Sequence, residues 1–317
     1  MAPRFGSHMS IAGGLHLAVL RARAVGGEAL QLFTKSSNQW AARPLAAEDA
    51  LAFRAAAAAA RFAPVLAHDS YLINVASPDD DLRRRSLDAL EEEFVRCAAL
   101  GVPYLVMHPG AHVGAGEEAG IAAVAEALDE LHRRRGPDVM VLLENTAGQG
   151  TTLGRTFEQL AAIRGRLEAP ERVGVCFDTA HAFAAGYDLA TDEGWERTWR
   201  AFAAVVGLDR PHALHVNDSK KGLGSRVDRH EQIGLGELGP SAFWRLANDP
   251  RFDGLPAVLE TEKEEDLADD ARNLFVLRRL VGLAAPPSRA AVESWRAEAP
   301  LPEAVPGASK RGAKGRR

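Results

Sequence analysis

Eight short apolar or β-branched runs alternate with helix-like stretches along most of this chain, and that alternation restricts its fold more than any other feature. The runs are RFGSHM (4–9), EALQLF (28–33), APVLAH (63–68), YLVMHP (104–109), VMVLLEN (139–145), VGVCFDT (173–179), PHALHVN (211–217) and PAVLET (256–261). Between them lie Ala-, Leu- and Arg-rich stretches, including 46–61, 80–100, 117–135 and 192–206. The alanine tract at 55–60 belongs to the first of these, since alanine is the strongest helix former. Parallel strands need helical crossovers that cover the sheet, and eight such units close on themselves. The pattern predicts an α/β protein, a single (β/α)8 TIM barrel over residues 1–284. From about 285 the composition turns to Ala, Pro and Glu and then to Lys and Arg, so 285–317 is expected to be a disordered tail.

Composition removes several classes of function. Cys97 and Cys176 are far apart and form no CxxC pair, which excludes a cysteine-based zinc site or a disulfide framework and fits a reducing compartment. No apolar run approaches the roughly 20 residues of a membrane span, and no signal-type N-terminus is present, so a cytoplasmic protein without membrane partners is expected. The net charge of −5 argues against a nonspecific nucleic-acid binder. That charge is unevenly placed: SKRGAKGRR at the C-terminus carries five cationic side chains and no acid.

The last residues of six consecutive runs are His68, His108, Glu144, Asp178, His215 and Glu260. His181 follows three residues after Asp178, and Asp228-x-His230 follows the seventh run. Taken singly, each has a bland reading as a satisfied polar residue or an ion-pair member; Asp178, in FDT, also reads as a helix N-cap. Together they do not. A buried charge is costly unless paired, and no Arg or Lys stands at these strand ends. The C-terminal face of such a barrel is where active sites are built, so these side chains converge on one bowl. Imidazole with carboxylate and no thiolate points to zinc or manganese before calcium or magnesium. Nine donors are too many for one ion and suit two or three.

The segments HDSYLIN (68–74), HPGAH (108–112), LENTAGQG (143–150), FDTAHAFAAGYD (177–188), HVNDSK (215–220), DRH (228–230) and LETE (259–262) together resemble the endonuclease IV family of apurinic/apyrimidinic endonucleases. The resemblance runs from about residue 5 to 280. It implies a barrel with three zinc ions that cuts double-stranded DNA on the 5′ side of abasic sites, leaving a 3′-hydroxyl and a 5′-deoxyribose phosphate. His68, His108 and Glu144 would hold the first ion, and Glu144 would bridge, as the catalytic carboxylate, to a second completed by Asp178, His215 and Glu260. The third would be held by His181, Asp228 and His230, with manganese the alternative to zinc at one position. A monomer is expected.

GSHMSIAGG (6–14) looks like the residue of a cleaved tag, yet five residues precede it and the family opens on Gly-x-His-x-Ser followed by two glycines. It is read as a native strand whose His8 faces the bowl. In the same family, Tyr71 and Leu72 match a loop that inserts into DNA, and TKSSNQW (34–40) matches a second DNA-facing loop with Gln39. Asn38 stands where several relatives carry arginine. Weaker DNA affinity is therefore expected, unless Lys35 compensates.

Several signals carry less. GLGELG (234–239) satisfies GxGxxG but follows no strand, and a tight turn is the better account. His16, His132 and His212 are expected at surface or structural positions, and His112 close behind His108. Two other readings stand beside the nuclease. A sugar isomerase or epimerase on the same barrel would use Glu144, Asp178, His215 and Glu260 round one manganese or magnesium, leaving five donors without work. A damage-binding protein without catalysis is disfavoured because no ligand is missing.

Overall fold

In the computed structural model, residues 1–207, 209 and 211–307 are described. Among these residues ten strands follow in order: β1 (Arg4–His8), β2 (Ala29–Phe33), β3 (Leu66–His68), β4 (Tyr104–Met107), β5 (Met140–Glu144), β6 (Val173–Asp178), β7 (Ala213–His215), β8 (Asp218–Ser219), β9 (His230–Glu231) and β10 (Pro256–Leu259). Eight of them pair in parallel into a closed barrel, in the circular order β1-β10-β7-β6-β5-β4-β3-β2. The helices are α1 (Leu15–Ala24), α2 (Ala47–Ala60), α3 (Asp80–Leu100), α4 (Glu117–Arg134), α5 (Phe157–Arg164), α6 (Thr179–Ala185), α7 (Asp192–Val206), α8 (Gly239–Asn248), α9 (Ala268–Leu280) and α10 (Arg289–Glu298). The expected barrel is present.

Successive side chains on a strand point to opposite faces, and here that alternation separates two cores. Outward residues such as Leu30, Leu105, Val141 and Phe177 join the large cluster under the helices. Inward residues Ala29, Leu66, Val106, Leu142, Cys176, Ala213 and Val258 form a second cluster that fills the barrel. Two residues further along those strands, the same inward parity brings Gln31, His68, His108, Glu144, Asp178, His215 and Glu260 to the C-terminal rim.

RFGSH is a barrel strand, hydrogen-bonded between β10 and β2. Gly6 is required there, because a Cβ would overlap the Ala29 carbonyl. The scar-like appearance is accidental.

The ordered body extends beyond the expected boundary at 284. Residues 289–298 form α10, capped by Ser288 and packed on α9 and α8. Its Val292 is fully buried, and Arg296 pairs with Asp269 at 2.9 Å. Low hydrophobicity hid this helix, because only two of its side chains, Val292 and Arg296, are buried and one of them is charged. The basic segment 309–317 lies outside the described residues. Among the described residues, no helix is long and apolar enough to cross a membrane.

β8 and β9 pair antiparallel above the rim and frame the loop that carries Asp228. The buried Asp218 carboxylate anchors this ribbon by accepting from the backbone N–H groups of Gly236 (2.9 Å) and Leu238 (3.0 Å). GLGELG is thus a turn wrapped round a carboxylate, as its context suggested.

Candidate metal centre

All nine expected donors meet at the mouth of the barrel. Ligand atoms of eight of them fall into three groups: His68, His108 and Glu144; Glu144, Asp178, His215 and Glu260; and Asp178, His181 and His230. Glu144 Oε2 lies 3.1 Å from His68 Nε2 and 3.3 Å from His108 Nε2, while its Oε1 lies 3.1 Å from His215 Nδ1. The third group differs from the expected set by holding Asp178 in place of Asp228; Asp178 Oδ2 is 3.9 Å from His230 Nε2. Asp228 reaches over from the ribbon loop, 3.3 Å from both His181 Nε2 and His230 Nε2. Two carboxylates therefore stand between groups: Glu144, as the family resemblance implied, and Asp178.

These residues fit a cation on grounds internal to the protein. Glu144 Oε1, His215 Nδ1 and His230 Nε2 are buried and have no hydrogen-bond partner, although unsatisfied buried polar atoms cost about 1–3 kcal/mol each. Carboxylate oxygen and ring nitrogen face one another at 3.1 Å in the middle group, which is unfavourable unless a proton or cation lies between. Burial opposes charge on His68, His181 and His215, yet the neighbouring acids outweigh it and hold all three imidazoles well above the usual value. Burial likewise opposes charge on Glu144, but His215 and His108 win and hold it well below the carboxylate range. Asp228 is brought down to about 2, again against burial, by His181 and His230. The field favours positive charge at these points. Cys176, beneath His215, is pushed up to about 11 by burial and remains a neutral thiol, so no thiolate enters the site.

Three histidines are aimed by the backbone. The Nδ1 atoms of His68, His181 and His230 lie 2.9, 3.0 and 3.2 Å from the carbonyls of Asp69, Asn145 and Glu260. A carbonyl only accepts, so each Nδ1 donates and each Nε2 is left to face the carboxylates, as metal-binding histidines require.

The family model described as a xylose isomerase-like TIM barrel matches residues 19–280. A probable endonuclease 4 of Chloroflexus aurantiacus is 51% identical over 280 residues, 88% of this chain and 98% of that one. A probable endonuclease 4 of Geobacter sulfurreducens is also 51% identical, over 87% of this chain and 94% of its own length. The crystal structure of endonuclease IV from Thermus thermophilus superposes with a TM-score of 0.77 at 38% identity, covering 88% of this chain and 98% of that chain.

The chain belongs to the endonuclease IV family.

It is a nuclease of the hydrolase class. A D-tagatose 3-epimerase-like protein has a TM-score of 0.67 at 16% identity, which shows a shared barrel alone.

Around the centre, the two loops expected to face DNA in this endonuclease IV relative differ in what they offer. Tyr71 is 67% exposed at the mouth, its ring edge-on to Phe33 at 5.3 Å. Leu72 is half-buried, and Asn38 and Gln39 are exposed. Ser70 Oγ donates to the Ser37 carbonyl at 2.6 Å and ties the loops together. Lys35 does not compensate for Asn38. It is buried, donating to the Trp40 carbonyl at 2.8 Å and pairing with Glu92 at 3.2 Å. An ammonium so committed shapes its own loop and offers no free charge to DNA. His112 is likewise structural, its Nδ1 accepting from the Gly116 N–H at 3.2 Å.

Sequence reasoning missed the polar residues that hold the ligands. Asn145 clamps the Asp178 backbone, donating to its carbonyl at 3.0 Å and accepting from its N–H at 2.8 Å. Asn217 donates to Asp178 Oδ2 at 2.6 Å and accepts from the Glu260 N–H at 2.8 Å. Both stand inside quoted motifs, LENTAG and HVNDSK, next to or two residues from a ligand, and that adjacency was the available signal. Lys220, Arg229 and Lys263 on the rim were missed as well.

Proposed function

We propose that this chain is an apurinic/apyrimidinic endonuclease of DNA repair, holding three zinc ions at the barrel mouth and cutting duplex DNA 5′ to an abasic nucleotide. The products are a 3′-hydroxyl and a 5′-deoxyribose phosphate. The observation that carries the reading is the linkage of three donor groups through Glu144 and Asp178. A one-ion isomerase site needs only Glu144, Asp178, His215 and Glu260, and would leave His68, His108, His181, Asp228 and His230 as costly buried or half-buried polar groups.

Bound ions of this kind supply Lewis acidity, neutralising phosphate charge and lowering the pKa of water toward about 7. The chain supplies position. His68, His108 and Glu144 would hold one ion, Glu144, Asp178, His215 and Glu260 the next, and Asp178, His181, Asp228 and His230 the third, with manganese the alternative at one position. Glu144, fully buried between two groups, is the catalytic carboxylate that fixes their spacing. Arg229 and Lys220 bring cationic groups to the bowl for the phosphates; Lys220 pairs with Glu262 at 3.2 Å but, unlike Lys35, is exposed.

Recognition falls to the exposed loops. An abasic nucleotide has no base to unstack, so swinging it into the bowl costs less than the few kcal/mol of an intact one. Tyr71, steadied by Phe33, fills the gap that remains, with Leu72 beside it and Asn38 and Gln39 on the neighbouring loop tied to it through Ser70 and Ser37. The chain works as a monomer, since one mouth contains every donor.

The test is a duplex with a single abasic site, incubated with the purified chain before and after metal stripping. Cutting on the 5′ side that disappears on stripping and returns with zinc, at about three ions per chain, is the expected result. Equal cutting after stripping, or a single bound ion, ends the reading.

A further inference from the structure

We infer that Gln31 is the positioning residue of the middle donor group, fixing which nitrogen of His215 meets an ion and which oxygen of Glu260 turns toward it. The inference rests on the metal-dependent reading above and deepens it. Gln31 is fully buried at the inward rim position of β2, in a layer where the neighbouring strands present histidines and carboxylates. A neutral amide there is a weaker zinc ligand than its neighbours, and both its ends are taken up by Glu260, His215 and His8.

Its orientation follows from its partners. Gln31 Nε2 lies 2.6 Å from Glu260 Oε1. An ionised carboxylate only accepts, so this end of the amide must be the NH2. The other end, Oε1, then lies 2.8 Å from His215 Nε2, and since an amide oxygen only accepts, His215 must carry a proton on Nε2. Nδ1 is left as the atom that can bind a cation, and it is the buried nitrogen without a hydrogen-bond partner, 3.1 Å from both Glu144 Oε1 and Glu260 Oε2. The second amide hydrogen points at His8 Nδ1, 3.0 Å away. Glu260 is thus held at Oε1 by Gln31 and at its backbone N–H by Asn217, which turns Oε2 toward His215.

The contrast with the other histidines makes the role testable. His68, His181 and His230 are aimed by backbone carbonyls, which no substitution removes. His215 is aimed by a side chain, so one mutation can release it and leave the others aimed.

Gln31→Met keeps the volume of the side chain and removes both polar ends. Zinc uptake by the stripped full-length chain, measured in competition with a chromophoric chelator, should show one of three ions bound roughly 10–100-fold more weakly, the usual cost of losing a residue that orients a ligand. The remaining two should bind as in wild type. Nitrogen-resolved NMR gives a readout that a merely structural role would not move: a solvent-protected proton on His215 Nε2 in the wild type that exchanges freely in Gln31→Met. Gln31→Glu should restore that protection, because it still accepts from His215. It should not restore the ion, because a carboxylate would face Glu260 in place of a donor. Three ions held at wild-type affinity in Gln31→Met overturn the inference. So does a uniform loss of all three with a lowered melting temperature of the stripped protein. If Gln31→Met does not fold, Gln31→Asn, one methylene too short to reach both partners, takes its place. A wild-type chain that takes up no zinc refutes the proposed function, whereas the His215 proton still decides the contact to Gln31.

Discussion

Two layers inside the barrel, one pleat apart on the same strands, have opposite chemistry. The lower is Ala29, Leu66, Val106, Leu142, Cys176, Ala213 and Val258; the upper, two residues on, is Gln31, His68, His108, Glu144, Asp178, His215 and Glu260. Backbone register and inward direction are shared, and only His108 and Glu260 of the upper layer are less than fully buried, so the strands themselves do not distinguish core from site. Side-chain type alone does. Apolar groups in the lower layer gain by leaving water, about 25 cal/mol per Å2, and need no partner. The upper layer gathers charges whose desolvation costs several kcal/mol per ion, and a divalent cation turns that cost into binding energy. One layer supports the fold and the other draws on it.

The sharpest test of this division is Glu144→Gln, which keeps the shape of the upper layer and removes the shared charge. Single-turnover cutting should fall at least about 10²–10³-fold, as for loss of one preorganised electrostatic group, while a gel shift with abasic duplex changes only a few-fold. Cutting within tenfold of wild type would break the division. Leu142→Ala, one pleat below, should instead cost about 2–5 kcal/mol in urea unfolding and leave the number of ions per folded chain unchanged. Ion loss without a stability change would show that the layers are not separable.

Smaller effects lie outside both layers. Asn38→Arg adds a cation to an exposed loop that lacks help from Lys35. Affinity should rise, and log K against log salt should steepen by about 0.9 for one added phosphate contact, with the cutting rate at saturation unaltered. Identical binding at matched salt would remove that loop from the interface. His132, on α4 and far from the rim, is buried with neither ring nitrogen hydrogen-bonded. Burial, reinforced by Arg172, pushes it down to about 4 from 6.5. Between those pH values the unfolded chain binds a proton that the folded chain refuses, so stability present above 6.5 is lost as pH falls toward 4. His132→Leu should flatten that part of the melting-temperature profile. A wild-type–variant difference that is equal at pH 7 and pH 4.5 would show that His132 titrates normally.

Period-two alternation and residue type were enough to read the barrel and to single out nine candidate donors, because each stands at a strand end or in the loop just beyond and the barrel brings those ends together. The same rules could not read α10, which buries only Val292 and Arg296, nor Lys35, whose charge looked available until Glu92 and the Trp40 carbonyl were found against it. They could not show that Asp178 is shared with the third group, nor that Gln31 acts at all. Its partners His215 and Glu260 are 184 and 229 residues away. A sequence records which chemistry sits on which face of which strand. Hydrogen bonds reach only about 3 Å, so which atoms meet is decided only when distant strands close the barrel.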